Sequence, residues 1–127
     1  MRSVKTILLI GLGSCIGGVL RHWLSGLLND AVVRGFPLGT LAVNVAGCLL
    51  IGALYGIFDR GAAMSPEWRL FLTVGLCGGF TTFSTFMNEN FLMVQGAQFV
   101  SLLLYAVLSL VGGFLAVWLG CSLVRAW

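Results

Sequence analysis

Gly75-Leu-Cys-Gly-Gly-Phe-Thr-Thr-Phe-Ser-Thr-Phe-Met-Asn-Glu-Asn90 is the stretch on which the reading of this chain turns. It begins apolar, as a membrane helix does. Two adjacent glycines follow, then a cluster of hydroxyls and three phenylalanines spaced three apart, Phe80, Phe83 and Phe86. Gly78-Gly79 ahead of β-branched Thr81 and Thr82 makes a poor helix interior. In a bilayer the freed N–H and C=O groups need partners, so a broken helix survives only inside protein or beside a water-filled cavity. The expectation is a deliberate break across Gly78–Thr82 whose backbone and hydroxyls handle an ion.

Composition supports a membrane setting. Of 127 residues, 59% are apolar and 9% charged, with mean hydropathy +1.05. The length is that of one domain. A net charge of +3, scattered singly at the edges of apolar runs, excludes a nucleic-acid binder and suits headgroup anchoring.

Working outward from the break, four spans are predicted: about 5–28, 38–58, 68–94 and 99–124. The second runs 21 residues without a charge. At about 1.5 Å per residue that crosses a hydrocarbon core of roughly 30 Å. Connections are short, with Asp30, Arg34, Gly35 and Pro37 in the first and Ser65-Pro66-Glu67, a helix-starting pattern, closing the second. Arg2 and Lys5 ahead of an apolar run resemble a signal peptide, and Leu12-Gly13-Ser14-Cys15 resembles a lipoprotein cleavage box. The run continues through Leu20, so the segment is read as a retained first span. No internal repeat suggests an inverted-repeat transporter.

No paired carboxylates, serine triad, phosphate loop or metal-ligand cluster appears, so the chain is not expected to be an enzyme. Cys15, Cys48, Cys77 and Cys121 form no C-x-x-C pair and read as small buried hydrophobes. His22 stands alone near a membrane surface. Gly13 with Gly17, Gly52 with Gly56 and Gly75 with Gly79 give small-xxx-small faces that let helices approach closely. Arg21 reads as a snorkelling cation near a span end, and Glu89 as a carboxylate at the wet end of the third span, capped by Asn88 and Asn90.

The polar residues inside the spans are otherwise neutral: Thr40 and Asn44 in the second, Thr81, Thr82, Ser84 and Thr85 in the third, Tyr105 and Ser109 four apart in the fourth. Singly, each serves as well for interhelical hydrogen bonding, and the phenylalanines for packing. Together they suit a small anion. Amide and hydroxyl donors replace its water, and phenylalanine edges carry partial positive charge. A fixed cation would hold the anion too tightly for conduction. Carbonyls freed at the break suit a cation instead.

Gly78-Gly-Phe-Thr-Thr-Phe-Ser-Thr-Phe86, with Gly39-Thr-Leu-Ala-Val-Asn44 upstream, resembles the Fluc (CrcB) family of fluoride channels. The resemblance extends over essentially the whole chain, including the glycine-rich first span ending in Leu20-Arg21. It implies an all-α membrane protein whose third helix is broken at its centre. It also implies an antiparallel, dual-topology homodimer with two narrow fluoride pores, working in fluoride export across a bacterial inner (plasma) membrane. By position, Phe83 and Phe86 match the pore phenylalanines and Asn44 the pore asparagine. Ser84, Thr85, Tyr105 and Ser109 match a hydroxyl track, with Thr40 beside Asn44, and Glu89 matches an acidic position near the pore end. Gly78 and Thr81 match residues whose backbone carbonyls hold a central structural sodium ion.

Two positions depart from the pattern. Phe80 stands where leucine is expected, and Gly113 where a serine would continue the track one turn beyond Ser109. The charge pattern is also in tension with dual topology. Arg2, Lys5, Arg60, Arg69 and Arg125 fall on the N-terminal side and Arg34 with Arg21 on the other, 5 against 2, which alone favours a cytoplasmic N-terminus. Two other classes fit the length and span count: a proton-coupled small multidrug-type exporter using Glu89, and a non-transporting assembly subunit.

Overall fold

The structure, a computed structural model, describes residues 3–31, 36–61 and 64–126, with the side chains of residues 29–31 outside that description. Arg2, Arg34 and Gly35, named above, fall outside it, as does the side chain of Asp30. Every regular element among the described residues is helical: α1 (Val4–Ala31), α2 (Leu38–Asp59), α3 (Pro66–Leu70), a π-helical stretch (Phe71–Cys77), α4 (Gly78–Phe80), α5 (Ser84–Gln95) and α6 (Phe99–Ala126). Four segments are long and apolar enough to cross a membrane: Val4–Leu28, Leu38–Asp59, Pro66–Gln95 and Phe99–Ala126. Among the described residues there are thus four membrane-capable segments, each ending within a few residues of an expected span.

The third span starts as its sequence dictates. The Ser65 hydroxyl accepts from the Trp68 N–H at 3.4 Å, Pro66 occupies the first turn, and Glu67 adds an acidic group there. The span is broken near its middle, but not at the glycines. Gly78 and Gly79 remain helical in α4, and the chain leaves the helix at Thr81, whose φ of −90° and ψ of 160° are extended. Helix resumes at Ser84. The glycine pair is retained for packing. A Cβ on Gly79 would lie 2.6 Å from the Ser14 carbonyl oxygen and one on Gly13 2.6 Å from that of Phe71. Gly17 sits tighter still, against Leu76 and the backbone N of Phe80.

These contacts pair the first span with the third, side by side and in the same direction. Gly52, Gly56 and Gly120 pair the second with the fourth in the same way: Gly52 faces the Val117 backbone and Gly120 the Leu49 and Ala53 backbone. In lipid, such close backbone approach supplies the dispersion energy that hydrophobicity cannot. The small-xxx-small pairs thus decide which helices are neighbours, and so which residues face the break.

A compact core of Phe86, Met93 and Tyr105 lies under Phe36, Leu41, Leu102 and Ala106. The outer faces carry large apolar side chains such as Val100, Leu103 and Phe114, as a lipid-facing surface requires. Cys77 is buried, but Cys15 is exposed on that outer face, unlike the buried filler expected of it. At one end of the bundle Arg125 pairs with Asp59, and Arg60 donates to the Val124 carbonyl at 3.0 Å, joining the C-terminal ends of α2 and α6.

Candidate ion site at the break of the third span

Leaving the helix at Thr81 frees backbone groups, and the sequence supplies a partner for most of them. The Thr81 N–H and its hydroxyl both donate to the Cys77 carbonyl, each at 3.1 Å. Asn44, from α2, takes the next residue from both sides: its Nδ2 donates to the Thr82 carbonyl at 3.0 Å, and its Oδ1 accepts from the Thr82 N–H at 2.8 Å. The side-chain amide therefore replaces a backbone partner. The Thr82 hydroxyl accepts from the Thr85 N–H at 3.3 Å and covers part of the start of α5. Asn44 keeps one amide hydrogen uncommitted by these two bonds.

Alongside this clamp runs an open groove of about 380 Å³, whose lining includes Asn44, Thr82, Phe83, Phe86 and Ser109. Phe83 is 73% exposed and Phe86 only 7%, with ring centroids 6.2 Å apart. The Ser109 hydroxyl oxygen is buried without a hydrogen-bond partner. The groove is thus lined by neutral polar groups and aromatic rings set among apolar side chains such as Ile51 and Leu110, and among the described residues the buried Ser109 hydroxyl beside it has no hydrogen-bond partner.

Deeper along the same face, Glu89 accepts from the Thr40 hydroxyl at 3.1 Å and from the Tyr105 hydroxyl at 2.8 Å. Thr40 is 3% exposed and Tyr105 fully buried. Tyr105 in turn packs against Phe86, ring centroids 5.0 Å apart and tilted by 55°, and meets Phe36 edge-on at 5.7 Å. This corrects the placing of Glu89 among Asn88 and Asn90. The Asn90 amide instead donates to the Phe86 carbonyl at 3.0 Å. The helix turns Glu89 inward because it lies three residues after Phe86, on the buried side of α5.

The expected site residues therefore gather in two linked groups. Asn44, Phe83, Phe86 and Ser109 line the groove, and Thr40, Glu89 and Tyr105 form a hydrogen-bonded set joined to it through Phe86. Ser84 is exposed at the start of α5, and Thr85 is engaged through its backbone N–H; neither lines the groove. Gly113 has the Cys48 sulfur 3.4 Å from where a Cβ would lie, so the thiol fills the place beside it that a serine side chain would enter. Gly78 and Thr81 both border the groove, and among the described residues no hydrogen bond to either carbonyl oxygen crosses the break.

Arg21 is the functional candidate that the sequence reading treated as a surface anchor. Its Nε donates to the Gly79 carbonyl at 3.1 Å, inside the bundle. The signal was present: Gly13, Gly17 and Arg21 recur every four residues and so share the helix face that packs on the third span.

Residues 8–121 match the family described as CrcB-like protein, Camphor Resistance (CrcB). The chain belongs to the CrcB family. It is 43% identical over 122 residues to a Flavobacterium psychrophilum protein named fluoride-specific ion channel FluC, covering 96% of this chain and 98% of that one. A Phocaeicola vulgatus protein of the same name is 44% identical over 117 residues, with 92% and 96% covered. A Leptospira interrogans protein, also so named, is 41% identical over 123 residues, with 94% and 97% covered. Arg21, Thr40, Asn44, Phe83, Phe86, Glu89, Tyr105 and Ser109 all fall inside the matched region.

Proposed function

We propose that this protein is a passive, fluoride-selective channel that lets fluoride leave the cytoplasm across a bacterial plasma membrane. The observation that carries the reading is the groove beside the break, where Asn44, Phe83, Phe86 and Ser109 converge without a fixed charge. The relatives' shared name, fluoride-specific ion channel FluC, supports the choice of ion.

The groove works by substituting for water. An unpaired anion in a low-dielectric interior costs on the order of tens of kcal/mol. The free Asn44 amide hydrogen and the Ser109 hydroxyl donate to it, and the rims of Phe83 and Phe86 present their positive edges. The break adds the start of α5, whose N–H groups and dipole favour negative charge. Among the described residues no arginine or lysine lines the groove, so an ion that enters is also able to leave. Glu89, held by Thr40 and Tyr105, marks one end of the path. Tyr105 and Ser109 continue the polar side.

The groove is open, and Phe83 projects from it largely uncovered. A second chain supplies the missing wall. Two chains related by a two-fold axis in the membrane plane make two equivalent pores, and bring both breaks to the centre. There the Gly78 and Thr81 carbonyls of each chain would hold a sodium ion. Among the described residues no donor meets these oxygens across the break, and they are hard ligands of the kind such a cation takes. Bound there, the ion ties the two broken helices together electrostatically. Efflux from liposomes read with a fluoride electrode tests the function, and a rate no higher than that of protein-free vesicles would defeat it.

A further inference from the structure

The break leaves a run of carbonyls at the C-terminal end of α4, and only some are available to a cation. Cys77 is taken by Thr81, Thr82 is taken by Asn44, and Gly79 is taken by the Arg21 guanidinium at 3.1 Å. Among the described residues Gly78, Phe80 and Thr81 remain, and Gly78 and Thr81 are the pair read above as cation ligands. The carbonyl withdrawn from the set, that of Gly79, lies between those of Gly78 and Thr81, and the group withdrawing it carries a full positive charge.

We propose that Arg21 is a positioning residue that sets the cation affinity of the break, capping Gly79 while its charge opposes a cation at the neighbouring carbonyls. The proposal rests on the reading of Gly78 and Thr81 as cation ligands. It does not require that the conducted ion be fluoride.

The placement of Arg21 is built into the fold. Gly13 and Gly17 bring α1 onto the third span so closely that a Cβ on Gly17 would meet Leu76 and Phe80. Arg21 is one turn further along the same face, level with the end of α4. A cation near a helix C-terminus interacts favourably with the exposed carbonyls. Inside a membrane protein, an arginine is stable only with such partners. The same charge acts against a second cation. Coulomb repulsion in a partly buried site falls off slowly with distance, and salt screens it less than at a surface.

Two consequences have the same sign. Removing the charge lifts the repulsion, and removing the donor returns the Gly79 carbonyl to the set. Both tighten cation binding. A purely structural role predicts the reverse, because splayed carbonyls hold a cation less well.

The test is thermal melting of purified full-length protein in detergent, titrated with sodium chloride against choline chloride at constant ionic strength. The readout is the sodium concentration giving half of the maximal stabilisation. In Arg21→Gln and Arg21→Met this concentration falls by about tenfold, and in Arg21→Lys, which keeps the charge, it stays within about twofold of wild type. An unchanged or raised concentration in the neutral variants, with wild type still stabilised by sodium, overturns the role of Arg21 alone. A wild type that sodium does not stabilise overturns the cation reading beneath it. Should neither neutral variant fold, a shift beyond about fivefold in Arg21→Lys overturns the proposal, since the charge is retained there.

Discussion

Asn44→Asp separates the two jobs assigned to that amide. In wild type, Nδ2 donates to the Thr82 carbonyl and Oδ1 accepts from the Thr82 N–H. The carboxylate keeps the second bond and loses the first. It leaves the Thr82 carbonyl without a donor and facing an oxygen, at about 1–3 kcal/mol. It also removes the amide hydrogen offered to the groove and puts a negative charge there. For two like charges about 4 Å apart at an effective dielectric near 20, the repulsion is about 4 kcal/mol, close to a thousandfold in occupancy. Fluoride efflux should therefore drop by two to three orders of magnitude on the scale set by that repulsion, roughly. The assay is efflux from liposomes holding equal amounts of folded wild-type and variant protein, with Asn44→Ser alongside. Serine keeps a donor without the charge, so it should lose about tenfold or less, in line with one weakened hydrogen bond. Equal fluoride rates for Asn44→Asp and wild type would refute both the clamp and the groove as the anion's path.

Three more outcomes follow from the same geometry. Phe83→Ile, at a ring that is 73% exposed in the single chain, should leave the fold intact and cut fluoride efflux at least about tenfold through loss of the ring edge; an unchanged rate would remove Phe83 from the pore. Gly17→Val should force α1 off the third span and lower the melting temperature by several degrees, corresponding to an overpacking cost of about 1–3 kcal/mol; a melting curve that overlays wild type would contradict the packing. Glu89→Gln should leave an efflux that still ignores an imposed pH gradient; flux that follows the gradient in wild type and vanishes in the variant would favour a proton-coupled exporter.

The residues that were legible in the sequence are those whose signal is local. A run of 21 uncharged residues reads as a span by length alone. Glycines four apart read as a packing face, and Gly13, Gly17, Gly75 and Gly79 do meet backbone to backbone. Glycines beside β-branched threonines signalled a break, although its position slipped from the glycines to Thr81–Phe83, because the glycines serve the contact with α1. What the sequence did not carry depends on how the helices are rotated against each other. That Thr40 and Tyr105 reach Glu89, or that Arg21 reaches Gly79, follows only once those glycine contacts set the register. The π-helical stretch Phe71–Cys77 has no clear local signature, though the Thr73 hydroxyl bonds the Arg69 carbonyl at 2.7 Å at its start. The Asn44–Thr82 pairing was hidden for the same reason: an amide matched to a backbone requires that the backbone first be broken.

The central claim is that a neutral groove at an interrupted membrane helix replaces water around one small anion. It is tested most directly by loading purified protein into liposomes and following fluoride and chloride efflux side by side. The account predicts rapid fluoride loss with chloride retained as in protein-free vesicles. Equal rates for the two ions, or fluoride retained as well as in bare lipid, would contradict it.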